Sequence, residues 1–389
     1  MSYDFNKSFN RKGTGCIKWD CCPPSTCPQV LPMWIADMDF ETPDFVIQGI
    51  EERLKHPVFG YFRPEQRFYD AIIQWHRDRF GVDTLKPEHI LYQHSVLGSI
   101  ATALEVLTDK GDGVLVQTPG YAKFKEIITQ HERLLVANPL HFDGNRYEID
   151  FEDMEEKLRK HPVKVALFCS PSNPVGRVWE TDEIIRYVKL CEKYNVTIVA
   201  DEIWADFAYG RKHTPLHTVA GSWRNRVISL YAPTKTFNLA GLVISYAVIF
   251  DEGLAKQFQD YGDATHYNNC NALSMEALIS AYQEGGPWVD LLNGYLADNA
   301  AFTEAFLKEH LPQVRMARPE GTYLIWLDFR DTGYSMDEIV DRCVNRAGVI
   351  LNNGRTCIDS GDLCMRMNIA APRHLVEEGL NRLKQAFTE

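Results

Sequence analysis

Between residues 113 and 250, five short β-branched runs alternate with stretches of helical spacing: GVLVQTP (113–119), KVALFCSP (164–171), VTIVADEI (196–203), RVISLYAP (226–233) and VISYAVIF (243–250). No other feature of the chain restricts its fold as much. A strand lying parallel to its predecessor needs a crossover long enough to hold a helix, and a parallel sheet needs both faces covered. The alternation therefore predicts an α/β architecture, a mainly parallel sheet sandwiched by helices.

The flanks read differently. Residues 1–45 are irregular, with prolines at 23, 24, 28, 32 and 43, and are expected to form an arm that also supplies part of a smaller domain. FVIQGIEERLKH, FYDAIIQWHRDRF and TDEIIRYVKLCEKYN carry helical periodicity. After about 285 a long helical stretch leads into GTYLIWLDF, a shorter helix at SMDEIVDRCVNRAG and a last one at HLVEEGLNRLKQAF, a pattern that suits a smaller α+β domain. The expected division is 1–45 arm and part of the small domain, 46–284 large domain, and 285–389 small domain.

A formal net charge of −12 argues against a general nucleic-acid binder, which relies on clustered Lys and Arg. No apolar run reaches the roughly 18–20 residues that cross a bilayer, and MSYDFNKSFNRKG lacks the apolar core of a signal peptide, so no membrane partner and a cytoplasmic location are expected. Ten dispersed cysteines then read as free thiols. Cys16, Cys21, Cys22 and Cys27 cluster, but adjacent Cys-Cys is poor ligand spacing and no His accompanies them, so no metal is expected.

Ligands of open α/β sheets bind beyond the carboxyl ends of the strands. Tyr121 follows the first run, Asn173 the second, Asp201 ends the third, and Lys235 follows the fourth. Each has a plain structural use: packing in a Pro-Gly loop, a turn before Pro, a helix cap, a surface lysine. An aromatic, an amide, a carboxylate and an amine at successive strand ends make a more pointed set. Lys235 lies in APTKTFNLAGL without a charged neighbour, as an amine held in a partly apolar place would.

SPSNPVGRVW, DEIWADF and APTKTFNLAGL, in that order, resemble the aspartate-aminotransferase-type pyridoxal-phosphate enzymes of fold type I. LPMWIADMDF, the Gly-Tyr at 60–61, QEGGPWVDLL and CMRMNIAAPR extend the resemblance over nearly the whole chain, toward the cystathionine β-lyase subgroup known as MalY/PatB. The resemblance implies a large domain with a mainly parallel seven-stranded sheet, a smaller α+β domain, and pyridoxal 5′-phosphate as cofactor.

It also implies roles. Lys235 forms the Schiff base and moves the α-proton; burial and nearby cations lower an amine's pKa and free it for this work. Asp201 keeps the pyridine nitrogen protonated, Asn173 donates to the cofactor's phenolate oxygen and borders the substrate, and Tyr121 stacks on the ring. Backbone N–H groups at Val96 and Leu97, where YQHSVLGSIATALEVL turns helical, suit an anion, and Thr234 offers a hydroxyl. Tyr61 read from the sequence alone is equally a buried aromatic after Gly60; the resemblance implies that it reaches the phosphate and substrate from the neighbouring subunit, which makes a homodimer part of the site. Arg366, in an apolar strand where an unpaired charge is costly, either pairs with the substrate carboxylate or forms a structural salt bridge. Ala36 and Asp37 belong to an arm over the substrate.

Two stretches depart from the family pattern. Trp204 stands where Tyr or His is usual beside the phenolate, and GRTCIDSGD (354–362) replaces the usual loop before the carboxylate arginine. YGDATHYNNCNAL (261–273) is unusually polar, a candidate for shaping the pocket from the partner chain but with no role assigned. The expected activity is α,β-elimination from a cysteine-derived amino acid such as L-cystathionine, giving pyruvate, ammonia and a thiol. Transamination is the alternative outcome, and an inactive regulatory or binding protein on the same fold is a third.

Overall fold

The computed structural model describes residues 3–359 and 361–388. After the short helix α1 (Ile17–Asp20), β1 (Leu31–Pro32) leads through an arm into α2 (Asp44–Leu54) and α3 (Gln66–Phe80). The large sheet follows: β2 (Ile90–Gln93), β3 (Gly113–Thr118), β4 (Leu134–Phe142), β5 (Tyr147–Ile149), β6 (Val163–Cys169), β7 (Thr197–Asp201), β8 (Val227–Tyr231) and β9 (Ser245–Ile249). Their order across the sheet is β2-β9-β8-β7-β6-β3-β4-β5. From β8 to β4 all neighbours are parallel; β9 runs antiparallel to β8, and β5 folds back on β4.

Eight strands form where seven were expected. The extra one is the three-residue β5, paired with β4 across the turn at Asp143–Arg146. The five runs singled out in the sequence are β3, β6, β7, β8 and β9. The four-residue β2 and the edge-proximal β4 were not read as strands; β4 carries Pro139 and mixes polar with apolar residues.

Strands β3, β7, β8 and β9 are buried throughout, and β6 everywhere but at Lys164 and its last residue Cys169, because both faces are covered. Val114, Val116, Val165, Leu167 and Val199 pack in one cluster with α4 (Val96–Leu107) and α5 (Ala122–Gln130). Their neighbours Leu115, Ala166, Phe168, Ile198 and Ala200 pack in another with the helix Thr181–Lys193. Successive residues therefore serve opposite layers, as the two-residue strand period requires.

A second sheet joins β10 (Arg315–Met316), β11 (Leu324–Asp328), β13 (Asn352–Asn353) and β14 (Cys364–Asn368) in the order β10-β11-β14-β13. The arm's β1 pairs in parallel with β12 (Val349–Ile350). No helix of the described residues is long and apolar enough to cross a membrane.

Candidate active site

The carboxyl ends of β3, β6, β7 and β8 open onto a cavity of about 510 Å³, closed from the other side by the arm and by β13, β14 and the turn between them. Cys169, Asp201 and Leu230 lie side by side in the sheet register, so the turns beyond them start from one level. Tyr121, Asn173, Asp201, Thr234 and Lys235 all line this cavity, as do Val96, Leu97, Trp204, Ala36 and Arg366. Of the predicted residues, two do not line it: Tyr61 is fully exposed and outside the cavity of its own chain, and Asp37 pairs with Arg11 and Lys18.

Lys235 sits in a one-turn helix, Pro233–Thr236, entered by proline. Its half-buried amine donates to the Ala36 carbonyl at 2.5 Å and stands 5.5 Å from the centroid of the Trp204 ring. Burial lowers its pKa to about 8, with the Arg366 charge adding to the fall and Asp37 and Asp201 opposing it. Asp201 shows the converse. Burial raises its carboxyl to about 7, Glu202 adds to the rise, and the Ile203 N–H and Lys235 pull it back. An acid and a base are thus both brought toward neutrality inside one cavity.

Arg366 is 5% exposed on β14. It donates to Asn173 Oδ1 at 2.9 Å and to the Trp34 carbonyl at 3.1 Å, while its Nε has no partner. Because a guanidinium only donates, the Asn173 atom facing it must be oxygen, and the amide's NH2 is turned away from Arg366. Arg366 makes no salt bridge among the described residues, which leaves the carboxylate reading of its charge standing.

At the start of α4, Ser95 Oγ caps the helix by accepting from the Gly98 N–H at 3.1 Å. Val96 and Leu97, whose N–H groups are left over as at any helix start, line the cavity beside Thr234. Tyr121 leads into α5 with burial raising its phenol above the ordinary value. Trp204 is buried, edge-on to Tyr323 with ring centroids 4.7 Å apart. Tyr323 donates to the same Ala36 carbonyl at 3.1 Å.

Several contributors went unread in the sequence. Asn368 donates to the carbonyls of Ile35 and Asp37, and Asn238 exchanges hydrogen bonds with the Met38 backbone, so two amides hold the arm over Lys235. Arg11 and the buried Lys18 pair with Asp37 and Asp39 behind it. The polar stretch 261–273 proves to support α4 in its own chain: Tyr267 shares a 2.5 Å hydrogen bond with Ser95 Oγ, and His94 donates to the Asn269 carbonyl at 2.5 Å. The available signal was Gly98, early in a helix, where a Cβ would lie 1.8 Å from the Tyr267 hydroxyl.

The aminotransferase class I and II family model matches residues 28–383. Cystathionine beta-lyase PatB of Bacillus subtilis (strain 168) is 36% identical over 387 residues, covering 99% of this chain and all of PatB. Protein MalY of Escherichia coli (strain K12) is 30% identical over 99% of each chain. The crystal structure of cystalysin from Treponema denticola, which contains pyridoxal 5′-phosphate, superposes with a TM-score of 0.96 at 31% identity, covering 100% of this chain and 99% of its own. With sheet, strand-end residues and near-complete coverage in agreement, the chain belongs to the aminotransferase class I and II family, alongside PatB and MalY.

Proposed function

We propose that this protein is a pyridoxal-5′-phosphate-dependent carbon–sulfur β-lyase, acting on a cysteine-derived thioether amino acid such as L-cystathionine and releasing pyruvate, ammonia and a thiol. The observation that carries the reading is the pairing of a depressed amine, Lys235, with an elevated carboxyl, Asp201, in a cavity also lined by the unpaired Arg366. The names of PatB and cystalysin's bound cofactor support the same choice.

The residues fit that cofactor by what they lack. Arg366 Nε is buried without an acceptor, Asp201 is buried without a hydrogen-bonded cation, and the first N–H groups of α4 meet no carbonyl. A phosphate, a pyridinium and a substrate carboxylate supply those three partners. When bound, the cofactor offers an aldehyde that joins amines and a ring that takes up the electron pair left when the Cα–H bond breaks.

The remaining work belongs to the chain. Asp201 would hold a cation at the ring nitrogen, and ionisation of its carboxyl would be favoured once that cation is in place. The Asn173 NH2 would donate to the phenolate oxygen, Tyr121 would stack on the ring, and Val96, Leu97 and Thr234 would hold the phosphate, while Trp204 packs beside Lys235. Arg366 grips the α-carboxylate with its forked donors. Lys235, with an amine near its own pKa at physiological pH, accepts the proton from Cα and returns one where it is needed. The arm at Ala36 and Asp37 closes the substrate side and excludes water.

We extend the reading to a homodimer in which Tyr61 completes the neighbour's site. The fully exposed Tyr61, flanked by exposed Val58 and Phe59, supports it. Purified protein loaded with cofactor is expected to release pyruvate from L-cystathionine. Turnover of an amino acid and keto acid pair with no pyruvate from L-cystathionine would favour transamination and overturn the proposal.

A further inference from the structure

The charged side chains lining the cavity fall into two groups. Asp201, Lys235 and Arg366 lie deep; Lys123 and Glu126, on the first turns of α5, stand at the rim with the titratable His94. The deep three are taken up by the cofactor and the amino-acid head of the substrate. Lys123 and Glu126 are left, one of each sign, joined by a 2.6 Å ion pair with their side chains about half exposed (50% and 47%).

Their position is fixed relative to the substrate end of the cavity. Gly120 and Ile358 exchange backbone hydrogen bonds of 3.3 and 2.9 Å, which ties the start of α5 to the turn carrying Thr356 and Cys357, both cavity residues. Tyr121, which lines the cavity with Arg366, Lys123 and Glu126, feels the charge of all three. A substrate anchored by its α-carboxylate at Arg366 extends its sulfur substituent within the cavity that Lys123 and Glu126 also line.

We propose that Lys123 and Glu126 are specificity-determining residues that favour thioether amino acids whose sulfur substituent ends in its own carboxylate and ammonium, Lys123 receiving the distal carboxylate and Glu126 the distal ammonium. This rests on the lyase reading above. The pair that closes on itself in the free protein exchanges one ion pair for two, whereas an apolar sulfur substituent leaves it closed and gains nothing from it. As an exposed helical pair it contributes little to folding, so its removal leaves the scaffold intact.

The test compares two substrates that share the reacting atoms: L-cystathionine, with a charged distal end, and S-ethyl-L-cysteine, with an apolar one. Pyruvate release is measured for the wild type, Lys123→Ala, Glu126→Ala and the exchange Lys123→Glu/Glu126→Lys. Each single variant is expected to lower kcat/KM for L-cystathionine about tenfold, mainly through KM, a charge-assisted contact discounted for exposure. S-ethyl-L-cysteine should stay within about twofold of wild type, and the exchange should recover part of the L-cystathionine loss because both signs are again present. Parallel changes on both substrates, or no change on either, would overturn the assignment while leaving the lyase reading in place. No pyruvate from either substrate with the wild type would overturn the lyase reading itself. In a Lys235→Ala background, where turnover is blocked, quenching of the cavity tryptophans by L-cystathionine should show the same roughly tenfold weakening on Lys123→Ala; unchanged affinity there would also overturn it.

Discussion

Arg366 donates to Asn173 Oδ1 at 2.9 Å, so the cation we propose grips the substrate also fixes the amide we propose faces the cofactor. The two stand 193 residues apart in sequence, on the turn after β6 and on β14. Arg366→Lys keeps the charge but loses the fork, and one ammonium cannot serve Asn173, the Trp34 carbonyl and a carboxylate with the same geometry. We expect kcat/KM to fall by roughly thirtyfold, about 2 kcal/mol, with KM carrying most of the change. Steady-state kinetics on L-cystathionine would check it; a loss confined to kcat would contradict the anchoring role.

Asp201→Asn should stabilise the cofactor-free protein. The folded carboxyl titrates at about 7 against an ordinary 3.8, so the folded state binds the extra proton between these values and loses stability as pH rises through that window. The amide carries no such penalty. Its advantage should be complete above pH 7, shrink as pH falls and vanish below about pH 4, as read by urea unfolding across that range. With saturating cofactor at neutral pH the order should reverse, because the carboxylate then has its cation.

The large sheet was legible because its central strands are buried on both faces and so spell continuous apolar runs, while Tyr121, Asn173, Asp201 and Lys235 stand just where such strands end. Arg366 was legible as a charge stranded in an apolar strand. The arm's fastenings were not: Asn238, Asn368 and Tyr323 act through contacts across 200 residues or more, Lys18 through one 21 residues away, and an amide or a lysine in sequence carries no mark of its partner. Strand β4 was missed because an edge-proximal strand need not be apolar on both faces.

The support beneath the start of α4, where we propose the phosphate is held, rests on one glycine. A methyl group on Gly98 would overlap the Tyr267 hydroxyl, which in turn holds the capping Ser95. Gly98→Ala should push Tyr267 away, loosen the cap and disturb the N–H groups of Val96 and Leu97, with a cap worth about 1 kcal/mol. We expect cofactor affinity to drop roughly tenfold, measured by absorbance titration of cofactor-free protein, while Ser95→Ala alone gives a smaller drop. Equal affinity for Gly98→Ala and wild type would separate Tyr267 from the phosphate site.

Asp39 is the hub of the arm's fastening: it accepts from the buried Lys18 at 2.6 Å, from Arg11 at 2.6 Å and from the Trp19 indole at 2.9 Å. Removing one partner of a buried pair costs about 3–5 kcal/mol because the other charge stays buried. Asp39→Ala should therefore lower the melting temperature and expose the segment around Arg11 and Lys12 to trypsin. Lys18→Met, which removes the buried cation instead, should be milder.

The last expectation concerns Lys235 in the cofactor-free protein. Its amine titrates at about 8 when folded and near 10.5 when free, so between these values the unfolded chain holds a proton that the folded one has released. Wild-type stability should accordingly rise with pH from about 8 to 10.5, and below 8 the full penalty of a confined ammonium remains. Lys235→Met removes that charge but also the hydrogen bond to the Ala36 carbonyl, which still accepts from Tyr323 at 3.1 Å and is not orphaned. The balance favours methionine by roughly 2 kcal/mol at pH 7 once partial exposure is discounted. That gain should shrink toward zero by pH 10.5, while the variant loses both the covalent link to the cofactor and all turnover. Urea unfolding at pH 7 and pH 10 tests the sign, and a variant no more stable than wild type at pH 7 would show that Lys235 is held without strain.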